Sequence, residues 1–153
     1  MPDLPLTITL TPASSDDAES LVALRILAMR PSLERLGRFD PLRARQRFLA
    51  NFDPQFTRHI EWESTRVGFV VVRPDFAGLL LDHLYIHPDY QGRGIGAKVL
   101  QLVCAEADAA KQSLRVGALR DSDSNRFYLR HGFTLTESAE WDNYYIRLPQ
   151  PRD

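Results

Sequence analysis

The sequence predicts a mixed α/β fold built on a single layer of sheet, and three observations carry that expectation. Short β-rich runs recur from Leu6 to Leu148, most of them separated by little more than a turn. Between them lie stretches with apolar residues at helical spacing or with helix start and stop residues. One passage, Leu79 to Leu119, reads strand, helix, strand, which predicts a right-handed parallel crossover in an otherwise mostly antiparallel, twisted sheet. The expected order is β-α-α-β-β-β-α-β-α-β-β, about six to seven strands flanked by about four helices on both faces.

LTITL, Leu6 to Leu10, alternates and is β-rich, so a first strand is expected there. In the helix that follows, Asp16 and Glu19 have capping-box spacing. Leu21, Leu24, Ile26, Leu27 and Ala28 form its apolar stripe, and Pro31 is expected to end it. Asp40 before Pro41 supplies an N-cap and a first helical residue for a second helix, Pro41 to Asn51. RHIEW and VGFVVVRP read as strands around the turn ESTR, and LLLDHLYIHP as a third after the turn PDFAG. Ile95, Val99, Leu102 and Val103 mark a third helix reaching about Lys111. SLRVGAL is a strand, DSNRFYLRHGF a short helix with Gly132 at C′, and FTLTESAEW with NYYIRL a closing hairpin.

The 153 residues suffice for one domain with its own core, its ordered part expected at about 6–148 and the PQPRD tail frayed. Apolar residues make up 44% and charged residues 25%, ordinary for a soluble globular chain. A net charge of -1 gives no general attraction to nucleic acid or to an anionic membrane. No run approaches the ~18 apolar residues of a membrane span, and the N-terminus lacks a signal-peptide pattern. The only cysteine, Cys104, has no partner for an internal disulfide, and a reducing cytoplasm is the expected compartment. Cys104 reads as a small buried apolar residue.

The chemically informative stretch is IHPDYQGRGIGAKVL. Gly92, Gly94 and Gly96 stand between an apolar strand and an apolar helix. Bare backbone at a helix N-terminus exposes N–H groups that lack partners, in the positive end of the helix dipole, and phosphate is the natural ligand. Arg93 and Lys98 add charge. The P-loop pattern G-x-x-x-x-G-K-[ST] is absent. A dinucleotide fingerprint can be forced onto Gly92, Gly94 and Ala97, but Pro88 and the polar HPDYQ separate them from the strand, and the motif lies past mid-chain.

Q-x-x-G-x-G, here Gln91, Gly94 and Gly96, following a strand and a proline, resembles the acetyl-CoA pyrophosphate loop of the GNAT superfamily of N-acetyltransferases. FYLRHGF, with Phe127, Tyr128, Gly132 and Phe133, resembles that family's helix-to-strand element after the fifth strand. The likeness in element order covers nearly the whole chain. It implies acetyl-CoA as cosubstrate, no metal, and a pyrophosphate cradled by Gly92, Arg93, Gly94, Ile95, Gly96 and Ala97. It also implies a bulged strand whose backbone at Leu84, Tyr85 and Ile86 pairs with pantetheine.

The resemblance places a general acid at Tyr128, since a phenol with pKa about 10 protonates a thiolate as it leaves. The alternative is a core aromatic beside Phe127. Members of the family often carry a carboxylate or histidine nine or eleven residues before the glutamine, here Asp82 and Leu80. Asp82 in an apolar run is costly to bury without purpose, and desolvation would raise its pKa toward that of a base. Against this, it reads equally as an ion-paired residue. His83 has the better intrinsic pKa but lies on the opposite strand face; ordered water is a third base. Asn125, three before Tyr128, is a candidate contact to pantetheine or substrate, whereas the family's usual asparagine position holds Asp121. Ser122 and Ser124 read as cap and turn residues.

Arg30, Arg35, Arg38, Arg43, Arg45 and Arg47 cluster where the family roofs its acceptor site. They read either as a solvated helical face or as a grip on an acceptor anion. Trp62, Trp141, Tyr144 and Tyr145 suit a pocket or a core equally. The expected acceptor is a small-molecule amine or a peptide or protein amine, with no nucleic acid and no membrane as partner, and family analogy points to a homodimer. The competing readings are a non-catalytic acyl-CoA sensor of the same fold and a transferase using another acyl donor.

Overall fold

The computed structural model describes residues 7–151. The elements are β1 (Ile8–Pro12), α1 (Ala18–Arg35), α2 (Pro41–Asn51), β2 (Thr57–Trp62), β3 (Thr65–Asp75), β4 (Gly78–Ile86), α3 (Ile95–Ala109), β5 (Leu114–Leu119), α4 (Ser124–Arg130), β6 (Thr134–Ser138) and β7 (Asp142–Arg147). The strands form one seven-stranded sheet in the order β1-β2-β3-β4-β5-β7-β6. β4 and β5 run parallel, in register from Leu79↔Leu114 to Leu81↔Val116. β1 with β2, β2 with β3, β5 with β7 and β6 with β7 run antiparallel. The chain's contacts sort into two compact units. The first gathers residues up to Val71 with His83–Lys98, the second Val72–Asp82 with residues from Val99 on.

In the first unit, Leu21 and Val22 of α1, Phe48 of α2 and Phe69 and Val71 of β3 form a buried cluster. Phe48 meets Phe69 edge-on at 5.6 Å and stacks on Phe52 at 5.7 Å. Side chains of this kind stabilise by roughly 1.5–3 kcal/mol each when removed from water. α2 has the bounds its sequence predicts, because the Asp40 carboxylate accepts from the Arg43 N–H and Pro41 fills the first helical position.

Two expectations for α1 fail for physical reasons. Pro31 lies inside the helix. It removes one backbone hydrogen bond at an exposed residue, while the Arg30–Glu34 ion pair at 2.7 Å bridges it. The helix runs on to Arg35 and is closed by Gly37, at φ +66°, with Arg38 N–H on the Leu33 carbonyl and Gly37 N–H on Glu34's. The N-terminal box is Ser14 with Asp17, not Asp16 with Glu19: the Ser14 N–H donates to the Asp17 carboxylate at 2.8 Å. Asp17 is drawn there by the buried His59 ring of β2, 2.9 Å away. β1 extends to Pro12, which an edge strand tolerates; its expected start at Leu6 lies outside the described residues, as does the end of the tail.

In the second unit, Val99, Leu100, Val103 and Ala107 of α3 are buried, as are Leu114, Val116 and Ala118 of β5. Asp108 of α3 receives both guanidinium nitrogens of Arg147 on β7, at 2.7 and 3.1 Å. At α4, Gly132 takes φ +88° and Phe133 N–H reaches the Tyr128 carbonyl, closing the helix where the sequence predicts. No described helix is long and apolar enough to cross a membrane.

The Asp17 carboxyl is held at about 2, below its ordinary 3.8, first by the Ser14 N–H and then by the His59 hydrogen bond. A carboxyl lowered on folding stabilises above its unfolded value and loses that contribution as the pH falls through the folded one. Asp17→Asn is therefore expected to cost about 2 kcal/mol at neutral pH. Urea unfolding followed down the acid range should show its stability falling less steeply than that of the unsubstituted chain from about pH 4 to about pH 2.

Candidate active site

The loop between β4 and α3 is built by a chain of short-range bonds. His87 N–H pairs with the Val67 carbonyl of β3 at 2.8 Å. Pro88–Tyr90 makes one 3-10 turn, capped by His87 Nδ1, which accepts from the Asp89 N–H at 3.0 Å. Gln91 Nε2 donates back to the Ile86 carbonyl at 2.9 Å, so Gln91 braces the loop from within. Gly92 and Gly94 follow at φ +79° and +83°, a conformation L residues resist, and no heavy atom would crowd a Cβ on Gly92. Backbone conformation, not space, demands glycine there. Gly96 already lies in α3, so it serves by lacking a side chain on the first turn. The Gly94 carbonyl accepts from Lys98 N–H. The N–H groups of Ile95, Gly96 and Ala97 are then the first-turn donors that a helix leaves without internal acceptors.

Before the loop, β4 lies unusually close to β3. A Cβ on Gly68 would sit 2.2 Å from the Tyr85 carbonyl oxygen. The His87–Val67 bond follows directly on this approach, with the Tyr85 carbonyl lying beside Gly68 of β3. Of the three residues whose backbone the resemblance offers to pantetheine, Leu84, Tyr85 and Ile86, the last has a carbonyl that already receives Gln91.

Asp82 has the ion pair that one of its two sequence readings expects. Its side chain is 31% exposed, and its Oδ2 lies 3.1 Å from Arg73 Nε. His83 lies in an aromatic setting in the first unit: 5.3 Å from the Phe48 ring of α2 and 6.3 Å from Phe69. Its Nδ1 is 3.2 Å from the Tyr85 hydroxyl, which in turn meets Met29 Sδ of α1 at 3.3 Å. His83 therefore sits beneath the first two helices.

Tyr128 is 7% exposed on α4, its ring 5.4, 5.5 and 6.2 Å from Phe127, Phe133 and Tyr145. Asn125 on the same helix ties neighbouring elements together. Its Nδ2 donates to the Leu119 and Ser122 carbonyls, both at 2.9 Å. Its Oδ1 accepts from Asn143 Nδ2 at 2.9 Å and Tyr145 Oη at 2.7 Å. An amide's two donors and two lone pairs are then engaged. Asp121 takes φ +69°, a turn role that aspartate tolerates, and Ser122 bonds the Leu119 carbonyl as a turn residue should.

Of the arginine cluster, Arg30 pairs with Glu34 and Arg45 with Glu19, and Arg45's guanidinium is held further toward its charged form by that carboxylate. The solvated-face reading fits both. Sequence reasoning missed Arg25, whose Nη1 donates to the Ala44 carbonyl at 3.2 Å while its shielded Nε has no partner among the described residues. It also missed a contact between Trp62, Tyr90 and Arg93, because only their separation along the chain is visible in sequence. Burial pushes the Cys104 thiol up, away from a nucleophilic thiolate. Among the described residues, no three His, Cys, Asp or Glu side chains are grouped to hold a metal ion.

A family model described as an acetyltransferase (GNAT) domain matches residues 56–135, more than half of the chain. Among solved structures, the PaiA N-acetyltransferase from Thermoplasma acidophilum, in complex with coenzyme A, aligns with TM-score 0.75 at 16% identity, over 93% of this chain and 99% of that one. An acetyltransferase from Thermus thermophilus gives 0.72 at 21% identity, over 94% and 97%. The ribosomal-protein-S18-alanine N-acetyltransferase from Escherichia coli gives 0.68 at 13% identity, over 96% and 97%. At these identities the likeness is one of fold. Searching the curated proteins by sequence returns no match.

Asn125→Ala would take the acceptor from the Tyr145 hydroxyl and from Asn143 Nδ2, and one of the donors from each of the Leu119 and Ser122 carbonyls. It is expected to destabilise by about 2–4 kcal/mol, a loss to be read from chemical denaturation.

Proposed function

The chain belongs to the GNAT acetyltransferase family, and on that premise we propose that it moves an acetyl group from acetyl-CoA to a primary amine of a small molecule, peptide or protein, by direct attack in a ternary complex. One observation carries the reading. Two glycines at positive φ lead straight into α3, and its open first-turn N–H groups face no side chain of their own at Gly94 and Gly96. That array suits a pyrophosphate. Coenzyme A in the complex of the PaiA N-acetyltransferase, a protein of the same fold, supports the assignment.

Transfer to an amine needs a neutral nucleophile, a donor for the oxyanion and a proton for the departing thiolate. Tyr128, as the family motif implies, gives the proton. For the base, the surroundings favour His83 over Asp82. His83 lies beneath α1 and α2, the side from which the acceptor comes in this reading, its Nδ1 is 3.2 Å from the Tyr85 hydroxyl, and imidazole is the side chain whose intrinsic pKa lies nearest neutrality. Asp82 is engaged instead by the Arg73 guanidinium, 3.1 Å away.

Thermal unfolding with acetyl-CoA, coenzyme A, NADH and ATP, each at about 1 mM, tests the loop. A ligand at about 100 times its dissociation constant adds roughly 2.7 kcal/mol, a rise of several degrees. The rise is expected with the two CoA compounds alone; a rise only with NADH or ATP defeats the reading. In an amine screen, Tyr128→Phe should lower kcat by about 100-fold with the KM for acetyl-CoA unchanged. His83→Gln should lower kcat by about 10- to 100-fold and Asp82→Asn far less. Coenzyme A binding without turnover of any amine, indifferent to Tyr128→Phe, would point to the sensor reading instead.

A further inference from the structure

Trp62 ends β2, far along the chain from the glycine loop, yet its side chain stands against it. The Trp62 and Tyr90 rings meet edge to face, 6.1 Å apart at 85°. The Arg93 guanidinium lies 5.7 Å from the Trp62 ring and 5.8 Å from the Tyr90 ring. The His87 ring meets Tyr90 from 6.2 Å. All four residues belong to the first unit.

Arg93 is the one residue between the two positive-φ glycines. Flanked this way and exposed, it has little local reason to hold one conformation. Aromatic faces within about 6 Å attract a guanidinium and give it one. Trp62 is itself well anchored, paired with Ile8 of β1 and Thr65 of β3. The sheet thus reaches the middle of the loop through one indole and one guanidinium.

Resting on the reading of this loop as the pyrophosphate site, we propose that Trp62 is a positioning residue for the acyl-CoA cosubstrate. With Tyr90 it holds Arg93, and through Arg93 it keeps the Gly92–Gly94 backbone in the conformation that presents the first-turn N–H groups of α3. Order present before binding need not be created during it, so affinity for the pyrophosphate is raised without a direct contact from Trp62.

The test is a double-mutant cycle read by calorimetric binding of free coenzyme A, with acetyl-CoA kinetics alongside. Trp62→Leu should weaken binding by about three- to fivefold and raise the KM for acetyl-CoA equally, leaving kcat unchanged. Trp62→Phe, which keeps an aromatic face, should stay within about twofold. In an Arg93→Ala background Trp62→Leu should add nothing, because the partner it acts through is gone. An undiminished effect in that background, or no effect of Trp62→Leu on binding, overturns the proposal. Should Trp62→Leu fail to fold, Tyr90→Leu enters the same cycle and must show the same dependence on Arg93. If the unsubstituted chain does not bind coenzyme A at all, the reading of the loop fails, and this inference with it; binding that is blind to the cycle defeats this inference alone.

Discussion

The close approach of β3 and β4 at Gly68 is the constraint on which the rest depends. Any side chain there would strike the Tyr85 carbonyl, so the two strands meet only because that position is bare. The meeting aligns His87 with Val67 and so fixes where β4 ends and the 3-10 turn begins. From there Gln91, the two left-handed glycines and Ile95, buried to 1%, deliver α3 with its first turn open. On the side-chain side of the same strand, Tyr85 and His83 are pressed under α1 and α2. A single missing methyl group therefore underlies both the glycine loop and the aromatic setting of His83.

Local signals were readable where local chemistry decides. Asp40–Pro41 opens α2 and Gly132 closes α4 as the sequence predicts, because each cap is satisfied within a few residues. The glycine loop was readable for the same reason: φ is a property of a residue and its neighbours. Pro31 and Asp16 misled because the deciding partners lie elsewhere. Glu34 and Gly37 carry α1 past the proline, and His59 from β2 selects Asp17 over its neighbour.

The same distinction separates the legible part of the site from the rest. Tyr128 and the loop come from motifs. The engagement of Asn125 by four partners, the pairing of Asp82 with Arg73 and the contact of Arg93 with Trp62 all join residues that only folding makes neighbours. Asn125 ties β5, α4 and β7 together. Asp82 has a counter-charge in Arg73, and His83, on the other strand face, lies among aromatic rings.

The burial of Cys104 has a practical side. Acyl transfer from a thioester liberates one thiol per turnover, and thiol-specific reagents are the simplest way to count it. An enzyme with reactive cysteines contaminates that count with its own sulfur. Here the chain's only sulfhydryl is 8% exposed and held in its protonated form at neutral pH. The folded protein is accordingly expected to react slowly with such a reagent, so that colour developed during the reaction reports chiefly the released product. The same slowness lasts only while α3 stays packed, so a sudden uptake of reagent in the absence of substrate marks unfolding rather than turnover.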